Sequence, residues 1–366
     1  MGENLKAVIL AGGFGTRLRP LSCTRPKILF PIINKPLLQW TFERLAKNNI
    51  TQVIMAVNYQ VEVAIKQHRI PRHGVHVAYS RDPLRKPLGS GGPIRKAEKL
   101  IGHDAPFLVL NGDIFADVNY REILKMHEKK DAVATIALHE VKDPSRYGVA
   151  ELTKDKWITK FIEKPRKGTA PTNLINAGVY VLSPKIFDHI PKGRQVSIER
   201  EIFTKLASEG RLCGYVYDDI WMDIGKPEDY LKTNRMLLDS ISCQLETQAR
   251  RGTGIRNPVA FDKKVSVGEK SVIGPYAVLG RNVSVGKNVR IQDSIVLRET
   301  EISDSATIKS AIIGEGVFIG KNVRIGKGCI LGDHVRIRDN ASLAERVKVC
   351  PAKEISESVL TSKNIV

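Results

Sequence analysis

A short glycine-rich segment near the N-terminus carries the residue types best suited to chemistry on an anion. Its glycines and cationic side chains are those of Gly12, Gly13, Gly15, Arg17, Arg19 and Lys27. Glycine has no Cβ, so the backbone amides of such a loop approach a phosphate closely, while arginine and lysine supply positive charge. The spacing therefore predicts a loop that binds the triphosphate of a nucleotide.

The elements that must position this loop are apolar runs that alternate with helical patterns. The runs cover residues 7–10, 52–57, 75–79 and 107–110. This alternation predicts βαβ units and an α/β domain with a mostly parallel sheet. Ligands of such sheets bind at the carboxyl ends of the strands. The glycine-rich segment and the turn Asn111-Gly112-Asp113 both follow a strand in this way.

Downstream of this sheet the pattern changes twice. Strand patterns crowd together between residues 132 and 182, which predicts an antiparallel insert that covers the substrate side. The composition then turns polar around residues 239–257. We predict a catalytic domain over residues 1–240, a linker over 241–260 and a second domain over 261–366.

Apolar residues recur every six positions in the second domain. The series runs from Val267 to Ile355 and slips by one residue twice, after Leu297 and after Ile308. Neither an α-helix nor a flat strand repeats every six residues. The period predicts a left-handed parallel β-helix of about five triangular coils, with the aliphatic residues stacked inside.

Two aspartates follow strand patterns and are candidate metal ligands. Asp113 comes directly after Gly112, and Asp223 lies in the turn Trp221–Gly225. Two carboxylates together with phosphate oxygens make an oxygen-rich site that suits Mg²⁺. The alternative for a single aspartate after a strand is a helix cap or a turn, and we assign that structural role to the nearby Asp117.

Composition limits the remaining classes of function. The chain has 366 residues and a formal net charge of +19, with basic residues spread along it rather than clustered. We therefore expect anionic small-molecule substrates and argue against nucleic-acid and membrane partners. No apolar run of membrane-spanning length and no secretory signal is present, which predicts a cytoplasmic location. The five cysteines are far apart and argue against a disulfide framework or a zinc site.

Taken together, the motifs resemble those of the sugar-1-phosphate nucleotidylyltransferases, also called nucleotide-sugar pyrophosphorylases. The matching stretches are Leu10–Leu21, Arg25–Lys27, Asn111–Asp113, Phe161–Pro165, Asn176–Gly178 and Trp221–Gly225. Within the family the chain is most similar to the GDP-mannose pyrophosphorylases, at Ser197–Phe203 and at Trp221–Gly225. The resemblance implies a Rossmann-like nucleotidyltransferase domain. A C-terminal β-helix also occurs in members of this family.

The resemblance also implies roles for individual residues. Catalytic roles fall to Arg17, Lys27, Asp113 and Asp223, and the two aspartates would also bind Mg²⁺. The implied nucleotide contacts are Leu10, Ala11, Gly12, Gly13, Gly15, Thr16 and Gly89. The implied sugar-phosphate contacts are Gly148, Glu163, Lys164, Asn176 and Gly178. In this reaction an oxygen of the sugar 1-phosphate attacks the α-phosphorus of the triphosphate, and pyrophosphate leaves.

The base and the sugar are less well specified. Family members that use UTP or dTTP often carry Gln or Glu ahead of the Gly89 turn, whereas residues 81–87 contain no glutamine or glutamate. Their absence favours a purine, GTP. The resemblance to the GDP-mannose pyrophosphorylases implies mannose 1-phosphate as the second substrate and GDP-mannose as the product. The alternative within the class is a UTP- or dTTP-dependent enzyme acting on glucose or N-acetylglucosamine 1-phosphate.

Two further alternatives concern the chain as a whole and its tail. The family includes non-catalytic regulatory or exchange-factor-like subunits, although such members commonly lose ligands that this chain retains. Some relatives carry an acetyltransferase in a similar β-helix, but the tail has a single histidine, His334, without a neighbouring pattern of that kind. We expect the tail to support the first domain and to form a homo-oligomer.

Overall fold

A computed structural model of the chain describes residues 5–13, 15–83, 87–241 and 254–366. Residues 84–86, which belong to the predicted approach to the base, and residues 242–253 of the predicted linker lie outside the described residues. Internal contacts divide the chain into two compact units. The first unit comprises Met1–Gly13 and Leu37–Asp223, and the second comprises Phe14–Pro36 and Ile224–Val366. The domain boundaries near residues 240 and 260 stay a prediction.

Up to residue 241 the described chain alternates strands and helices. The strands are β1 (Lys6–Leu10), β2 (Pro31–Ile32), β3 (Lys35–Pro36), β4 (Gln52–Asn58), β5 (His76–Asp82), β6 (Phe107–Asn111), β7 (Ile114–Ala116), β8 (Ala134–Glu140), β9 (Gly148–Leu152), β10 (Ile158–Glu163), β11 (Leu174–Leu182), β12 (Leu212–Val216) and β13 (Trp221–Asp223). The α-helices are α1 (Leu37–Lys47), α2 (Tyr59–Gln67), α3 (Gly91–Lys96), α4 (Glu98–Ile101), α5 (Tyr120–Lys130), α6 (Thr204–Ser208) and α7 (Pro227–Ile241).

Local chemistry explains where these elements begin and why they are buried. Residues Ala7, Val8 and Ile9 of β1 are fully buried, as expected for a strand with helices on both faces of its sheet. Asn58 ends β4 and caps α2, because its Oδ1 accepts a hydrogen bond from the Val61 amide at 2.9 Å. A one-residue turn of this kind returns the chain from strand to helix at the carboxyl edge of the sheet.

The first unit is built on one nine-stranded mixed sheet. Seven strands follow the order β10-β9-β11-β6-β1-β4-β5, while β8 pairs with β11 and β12 pairs with β8. Strands β6, β1, β4 and β5 are parallel neighbours, which confirms the predicted α/β fold. Strand β11 runs antiparallel to β6, so the antiparallel strands β8–β11 extend the main sheet. The antiparallel pairing predicted for residues 132–182 is confirmed, but these strands continue the main sheet.

The second unit contains a parallel β-helix. Its strands are β14 (Gly254–Ile255), β15 (Val259–Phe261), β16 (Ser266–Val267), β17 (Val272–Ile273), β18 (Ala277–Leu279), β19 (Ser284–Val285), β20 (Arg290–Gln292), β21 (Ile295–Val296), β22 (Glu301–Ile302), β23 (Thr307–Lys309), β24 (Ile312–Ile313), β25 (Phe318–Ile319), β26 (Arg324–Ile325), β27 (Ile330–Leu331), β28 (Arg336–Ile337), β29 (Ser342–Leu343), β30 (Lys348–Val349), β31 (Glu354–Ile355) and β32 (Asn364–Ile365). Every third strand joins the same sheet, which gives three parallel sheets.

The β-helix contains six complete coils among the described residues, and β32 follows the sixth. Coils 1 to 6 begin at β14, β17, β20, β23, β26 and β29. The prediction of about five coils is one short. Coil 1 begins at Gly254, inside the predicted linker.

The predicted hexapeptide period is confirmed, but the first of its two slips is misplaced. Val296, not Leu297, pairs with Leu279 on one side and with Ile313 on the other. The shortened interval therefore lies between Ile291 and Val296 rather than after Leu297. The two neighbours are both apolar, so the sequence period alone cannot distinguish which one points into the stack. The second slip, between Ile308 and Ile313, is where the sequence predicts it.

None of the helices among the described residues is long and apolar enough to cross a membrane.

Candidate active site

The glycine loop, Leu10–Gly13, leaves β1 between its two neighbouring strands and is bonded to both. The Gly112 amide donates to the Leu10 carbonyl at 2.9 Å, and the Ala11 amide donates to the Ala56 carbonyl at 3.0 Å. Gly112 directly follows β6, and Ala56 lies in β4. The loop therefore starts from backbone that the sheet holds in place.

The two glycines of this loop, Gly12 and Gly13, differ in the space around them. A Cβ on Gly12 would lie 3.2 Å from Asp82 Oδ2, and the Gly12 carbonyl accepts a hydrogen bond from Asn58 Nδ2 at 3.2 Å. Around the exposed Gly13, no described atom beyond its chain neighbours lies within 4 Å of where a Cβ would stand. This open space fits the predicted close approach of a phosphate.

Asp82, the last residue of β5, is a candidate that sequence reasoning missed. Its Oδ1 is buried and has no hydrogen-bond partner within the described part of the chain. Burial raises the pKa of this carboxyl to about 6, although the charge of Lys96 opposes the shift. A buried acceptor without a partner is costly, so the position suits an acceptor for the N–H groups of a ligand. An acidic residue just after the strand pattern 75–79 was the available signal.

The two predicted metal ligands come together on a short antiparallel ladder. Strands β7 and β13 pair with Asp223 opposite Ile114, the residue that follows Asp113. Arg146 Nη2 lies 3.8 Å from Asp223 Oδ2. No group of three His, Cys, Asp or Glu side chains suited to a metal occurs among the described residues. Two carboxylates nevertheless fit a hard divalent cation whose other ligands are phosphate and water oxygens.

A second ladder brings together two of the predicted sugar-phosphate residues. Gly148 begins β9 directly opposite Glu163, the last residue of β10. A Cβ on Gly148 would lie 2.5 Å from Phe161 Cζ and 2.8 Å from Glu163 Oε2, so packing alone excludes a side chain here. Burial raises the pKa of Glu163, and the nearby charge of Glu199 raises it further.

Lys164 leaves this ladder in a left-handed backbone conformation. Its φ is 51°, and its amide donates to the Tyr147 carbonyl at 3.0 Å. Its Nζ lies 3.3 Å from Glu163 Oε1, and 58% of its side chain is exposed. The turn therefore ends the strand and leaves the ammonium group within reach of a soluble anion.

Asn176 and Gly178 lie in an irregular stretch of β11. The register between β11 and β8 shifts between Asn176 and Tyr180. Gly178 has a φ of +72°, and its amide donates to Asn176 Oδ1 at 2.9 Å. Asn176 Nδ2 donates to the buried Tyr180 hydroxyl at 3.0 Å. A Cβ on Gly178 would lie 2.3 Å from Ile114 Cδ1 and 2.8 Å from Asn111 Nδ2. The bulge therefore packs against the turn that carries Asp113.

We call the five predicted sugar-phosphate residues the sugar-side cluster. They are Gly148, Glu163, Lys164, Asn176 and Gly178. All five lie in the first unit, on β9, β10 and β11 or directly after them.

The Gly89 turn is held by residues that precede α6. Gly89 forms a bridge with Val196, and a Cβ on Gly89 would lie 2.3 Å from the Val196 carbonyl oxygen. Ser90 Oγ donates to Glu199 Oε2 at 2.5 Å and accepts from the Ile198 amide at 3.0 Å. Gly89 is exposed, so the turn presents its backbone while its position is fixed from the other side.

The remaining predicted residues, Gly15, Thr16, Arg17 and Lys27, lie in the second unit. Gly15 adopts a left-handed conformation at the start of a 3₁₀ turn, Thr16–Leu18, and its carbonyl accepts from Ser22 Oγ at 2.7 Å. A Cβ on Gly15 would lie 3.6 Å from Lys27 Cβ. The segment folds back on itself, so the Thr16–Leu18 turn begins beside Lys27. Arg17 is exposed.

Several residues that shape the site carry no periodic signal. Asn111 Nδ2 lies 3.5 Å from the Tyr180 hydroxyl, Arg146 lies beside Asp223, and Asn58 donates to the glycine loop. Asn111 stands within the motif Asn111–Asp113, and Arg146 lies two residues before the predicted sugar-phosphate contact Gly148. These positions were the signal that could have found them. The contacts of Tyr180 with Asn111 and of Asn58 with Gly12 had none, because they join residues that are distant in sequence.

Two family models match the chain in tandem. A nucleotidyl transferase model matches residues 6–240, and a GMPPB C-terminal domain model matches residues 255–366. The matches follow the order of the α/β domain and the β-helix described above.

The chain is similar over nearly its whole length to proteins from plants, fungi and animals. It is 36% identical to a probable mannose-1-phosphate guanylyltransferase 2 of Oryza sativa subsp. japonica, over 97% of this chain and 98% of that protein. It is 39% identical to a mannose-1-phosphate guanyltransferase of Eremothecium gossypii, with the same coverage of 97% and 98%. A Danio rerio protein named mannose-1-phosphate guanylyltransferase catalytic subunit beta is 36% identical over 97% of this chain and 98% of its own length.

Solved structures also resemble the chain. HddC from Yersinia pseudotuberculosis is 30% identical, with a TM-score of 0.53 over 64% of this chain and 99% of that one. The structure of HddC complexed with GMP-PN is 31% identical, with a TM-score of 0.52 and the same coverage of 64% and 99%.

Proposed function

We propose that this chain, which belongs to the nucleotidyl transferase family, transfers a guanylyl group from GTP to mannose 1-phosphate, releasing pyrophosphate and forming GDP-mannose. The observation that carries the proposal is the full-length similarity to proteins named for this reaction. The site geometry supports it, because Gly148 pairs with Glu163 on one ladder, and on another Asp223 lies opposite Ile114, the residue after Asp113.

In the proposed reaction an oxygen of mannose 1-phosphate attacks the α-phosphorus of GTP. The bond from that phosphorus to the bridging oxygen breaks, and pyrophosphate leaves with the bond's electrons. Catalysis of this kind is mostly positioning and electrostatic stabilisation. We assign Arg17 and Lys27 to the departing pyrophosphate, since both are cationic donors on the segment that follows the glycine loop.

The sugar-side cluster would hold the attacking substrate. Lys164 supplies an accessible ammonium group for the phosphate, and Glu163 beside it supplies an acceptor for sugar hydroxyls. Gly148 and Gly178 leave this surface without side chains because protein atoms already occupy the space. Asn176 is oriented by its bonds to Gly178 and Tyr180, which fixes its amide toward one geometry.

Members of the family generally use a divalent metal, and we propose Mg²⁺ for this chain. Asp113 and Asp223 would hold it, since hard oxygen donors are its preferred ligands. The bound cation would supply positive charge that offsets the charge of the phosphates.

We further assign the base-reading role to Asp82. Its unpartnered Oδ1 can accept a hydrogen bond from an N–H group of a ligand, and guanine carries such donors. A solved relative, HddC from Yersinia pseudotuberculosis, forms a complex with GMP-PN. Asp82 lies beside Gly12, within the unit that also carries Gly89.

The test is a pyrophosphate-release screen of the purified full-length chain with Mg²⁺. ATP, CTP, GTP, UTP and dTTP are each paired with the 1-phosphates of mannose, glucose, galactose, glucosamine and N-acetylglucosamine. We expect the highest kcat/KM with GTP and mannose 1-phosphate. A maximum with UTP or dTTP and a glucose-type substrate would select the alternative enzyme. No release from any pair would favour a non-catalytic regulatory subunit.

Three sequence predictions remain proposals of their own. We propose that the β-helix mediates a homo-oligomer, that the domains divide near residues 240 and 260, and that the chain acts in the cytoplasm. Repetitive flat coils suit self-complementary contacts in closed assemblies. Light scattering on the full chain tests the first of these, and a monomer at micromolar concentration would reject it.

A further inference from the structure

One corner of the β-helix carries charged residues at equivalent positions of successive coils. They are Arg281, Arg298, Glu315 and Asp333 in coils 2 to 5, spaced by 17, 17 and 18 residues as the strand register requires. Arg298 Nη2 lies 2.6 Å from Glu315 Oε1, and the Glu315 amide donates to Asp333 Oδ1 at 2.8 Å. The corner thus ends in two adjacent carboxylates.

Two residues of the N-terminal segment 15–36 bind these carboxylates. Arg25 Nη2 donates to Glu315 Oε2 at 2.8 Å and to Asp333 Oδ2 at 2.7 Å. Thr24 Oγ1 donates to Asp333 Oδ2 at 2.6 Å. The side chains of Arg25, Glu315 and Asp333 are only 10%, 13% and 5% exposed. Charge-assisted bonds in such a dry setting are short and directional, so they define the position of the segment.

Two other aspartates of the β-helix make the same hydrogen bond to the preceding coil that Asp333 makes with its Oδ1. Asp304 Oδ1 accepts from the Lys287 amide at 2.7 Å, and Asp339 Oδ1 accepts from the Lys321 amide at 2.8 Å. This is the bond that Asp333 Oδ1 makes with the preceding coil. Asp304 and Asp339 are exposed, whereas Asp333 is buried. The second oxygen of Asp333 therefore serves the N-terminal segment.

The anchored residues lie in the middle of the segment that carries Arg17 and Lys27. Thr24 Oγ1 also lies 3.3 Å from the Leu21 carbonyl. Lys27, two residues after Arg25, begins the 3₁₀ turn Lys27–Leu29. On the other side, Ser22 bonds the Gly15 carbonyl, from which the Arg17 turn starts. A displacement of Thr24 and Arg25 would therefore move both cationic side chains.

We propose that Asp333 is a positioning residue, which holds the segment presenting Arg17 and Lys27 through its bonds to Thr24 and Arg25. Asp333 itself touches no substrate. The β-helix would thereby act on turnover and not only on assembly. The kinetic part of this proposal rests on the proposed function, whereas the anchoring of the segment does not.

The first test measures anchoring without any substrate. Asp333→Asn keeps the shape and an oxygen for the Glu315 amide, but its amide group cannot accept from Arg25 and Thr24. We expect hydrogen–deuterium exchange of amides in residues 15–30 to become about tenfold faster or more, as for the loss of a hydrogen bond to a charged group. Asp339→Asn, the matched control, should leave this exchange unchanged. Equal exchange in both variants would overturn the proposal.

The second test measures the kinetic consequence. Asp333→Asn should raise the KM for GTP about tenfold and leave the KM for mannose 1-phosphate within about twofold. Thr24→Val removes one hydrogen-bond donor without altering the β-helix and should also raise the KM for GTP. Equal changes in both KM values, or none in either variant, would reject the positioning role. Absence of pyrophosphate release by the unsubstituted chain would reject the proposed function instead, while the exchange result still decides the anchoring.

Discussion

Glycine serves opposite purposes in the glycine loop and in the sugar-side cluster. At Gly148 and Gly178 the space for a side chain is filled by protein, with Phe161 Cζ and Ile114 Cδ1 at 2.5 and 2.3 Å from the ideal Cβ positions. At Gly13 no described atom beyond the chain neighbours comes within 4 Å of that position. Substitution of a glycine that packing requires should lower the free energy of unfolding. Substitution of a glycine that leaves space for a ligand should instead weaken ligand binding.

The turn Asn111-Gly112-Asp113 connects the two regions. Its Gly112 amide bonds to Leu10 of the glycine loop, while Asn111 packs against Gly178 of the sugar-side cluster. Asp113 then leads into the ladder with Asp223. Substitutions in either region can therefore be compared with substitutions at Asp223, the proposed metal ligand on this ladder.

The largest effect is expected at Asp223, which we propose as a metal ligand. Asp223→Asn removes a metal ligand and should lower kcat about a hundredfold or more, since a bound cation contributes several kcal/mol. The melting temperature should stay close to that of the unsubstituted chain. Pyrophosphate release at saturating substrates and calorimetry measure the two quantities. Asp117→Asn, at an exposed aspartate paired with Arg44, is the control. A kcat within tenfold of normal would remove Asp223 from the metal site.

A glycine-to-alanine substitution in each region tests the difference between the sugar-side cluster and the glycine loop. Gly178→Ala should lower the free energy of unfolding by about 1–3 kcal/mol, because the Cβ meets Ile114 and the positive φ is strained. Gly13→Ala should change it by less than about 0.5 kcal/mol and instead raise the KM for GTP. Denaturant unfolding and kinetics on the same two variants measure this. If both variants lose stability equally, the distinction between the two regions is wrong.

Lys164→Ala should affect one substrate only. It removes a charge-assisted contact, so we expect the KM for mannose 1-phosphate to rise about tenfold while the KM for GTP is unchanged. Lys160→Ala, at an exposed lysine of β10, the strand that precedes Lys164, provides the control. An unaltered dependence on mannose 1-phosphate would count against placing Lys164 in the sugar-side cluster.

The smallest effect is a pH dependence at Asp82, beside the glycine loop. Burial raises the pKa of this carboxyl to about 6. Its neutral form is therefore favoured in the fold, and its contribution to stability is present below about pH 4 and lost as the pH rises through about 6. If the ionised form reads guanine, the KM for GTP should rise about twofold between pH 7 and pH 6. In Asp82→Asn the KM for GTP should no longer change between pH 7 and pH 6. If the twofold rise persists in this variant, it comes from the titration of another group.

Short-range patterns were enough to locate the motifs and both folds. The apolar run before Gly12 and the six-residue period depend on local periodicity, which the chain expresses repeatedly. The first slip is misplaced because Val296 and Leu297 satisfy the period equally well. The antiparallel strands β8–β11 were assigned to an insert because nothing in their own sequence specifies that β11 pairs with β6.

The parts that escaped sequence reasoning are contacts between residues distant in the chain. Tyr180 orients Asn176 from the same strand, but its contact with Asn111 spans 69 residues. The bonds from Arg25 to Glu315 and Asp333 span 290 and 308 residues. No spacing rule links such positions. In the sequence, Arg25 belongs to the motif Arg25–Lys27, and nothing in that motif indicates a contact with the β-helix.

The N-terminal segment 15–36 also contacts coils of the β-helix that precede its sixth coil. Asn34 Nδ2 donates to the Leu279 carbonyl in coil 2 at 3.0 Å, and Arg25 reaches coils 4 and 5. In a stack where each coil contacts only its neighbours, opening starts at a free end and proceeds inward. Coil 6 and β32 lie beyond Asp333 and can fray before that residue is reached. Opening of coil 6 can therefore precede any loss of the bonds from Thr24 and Arg25 to Asp333.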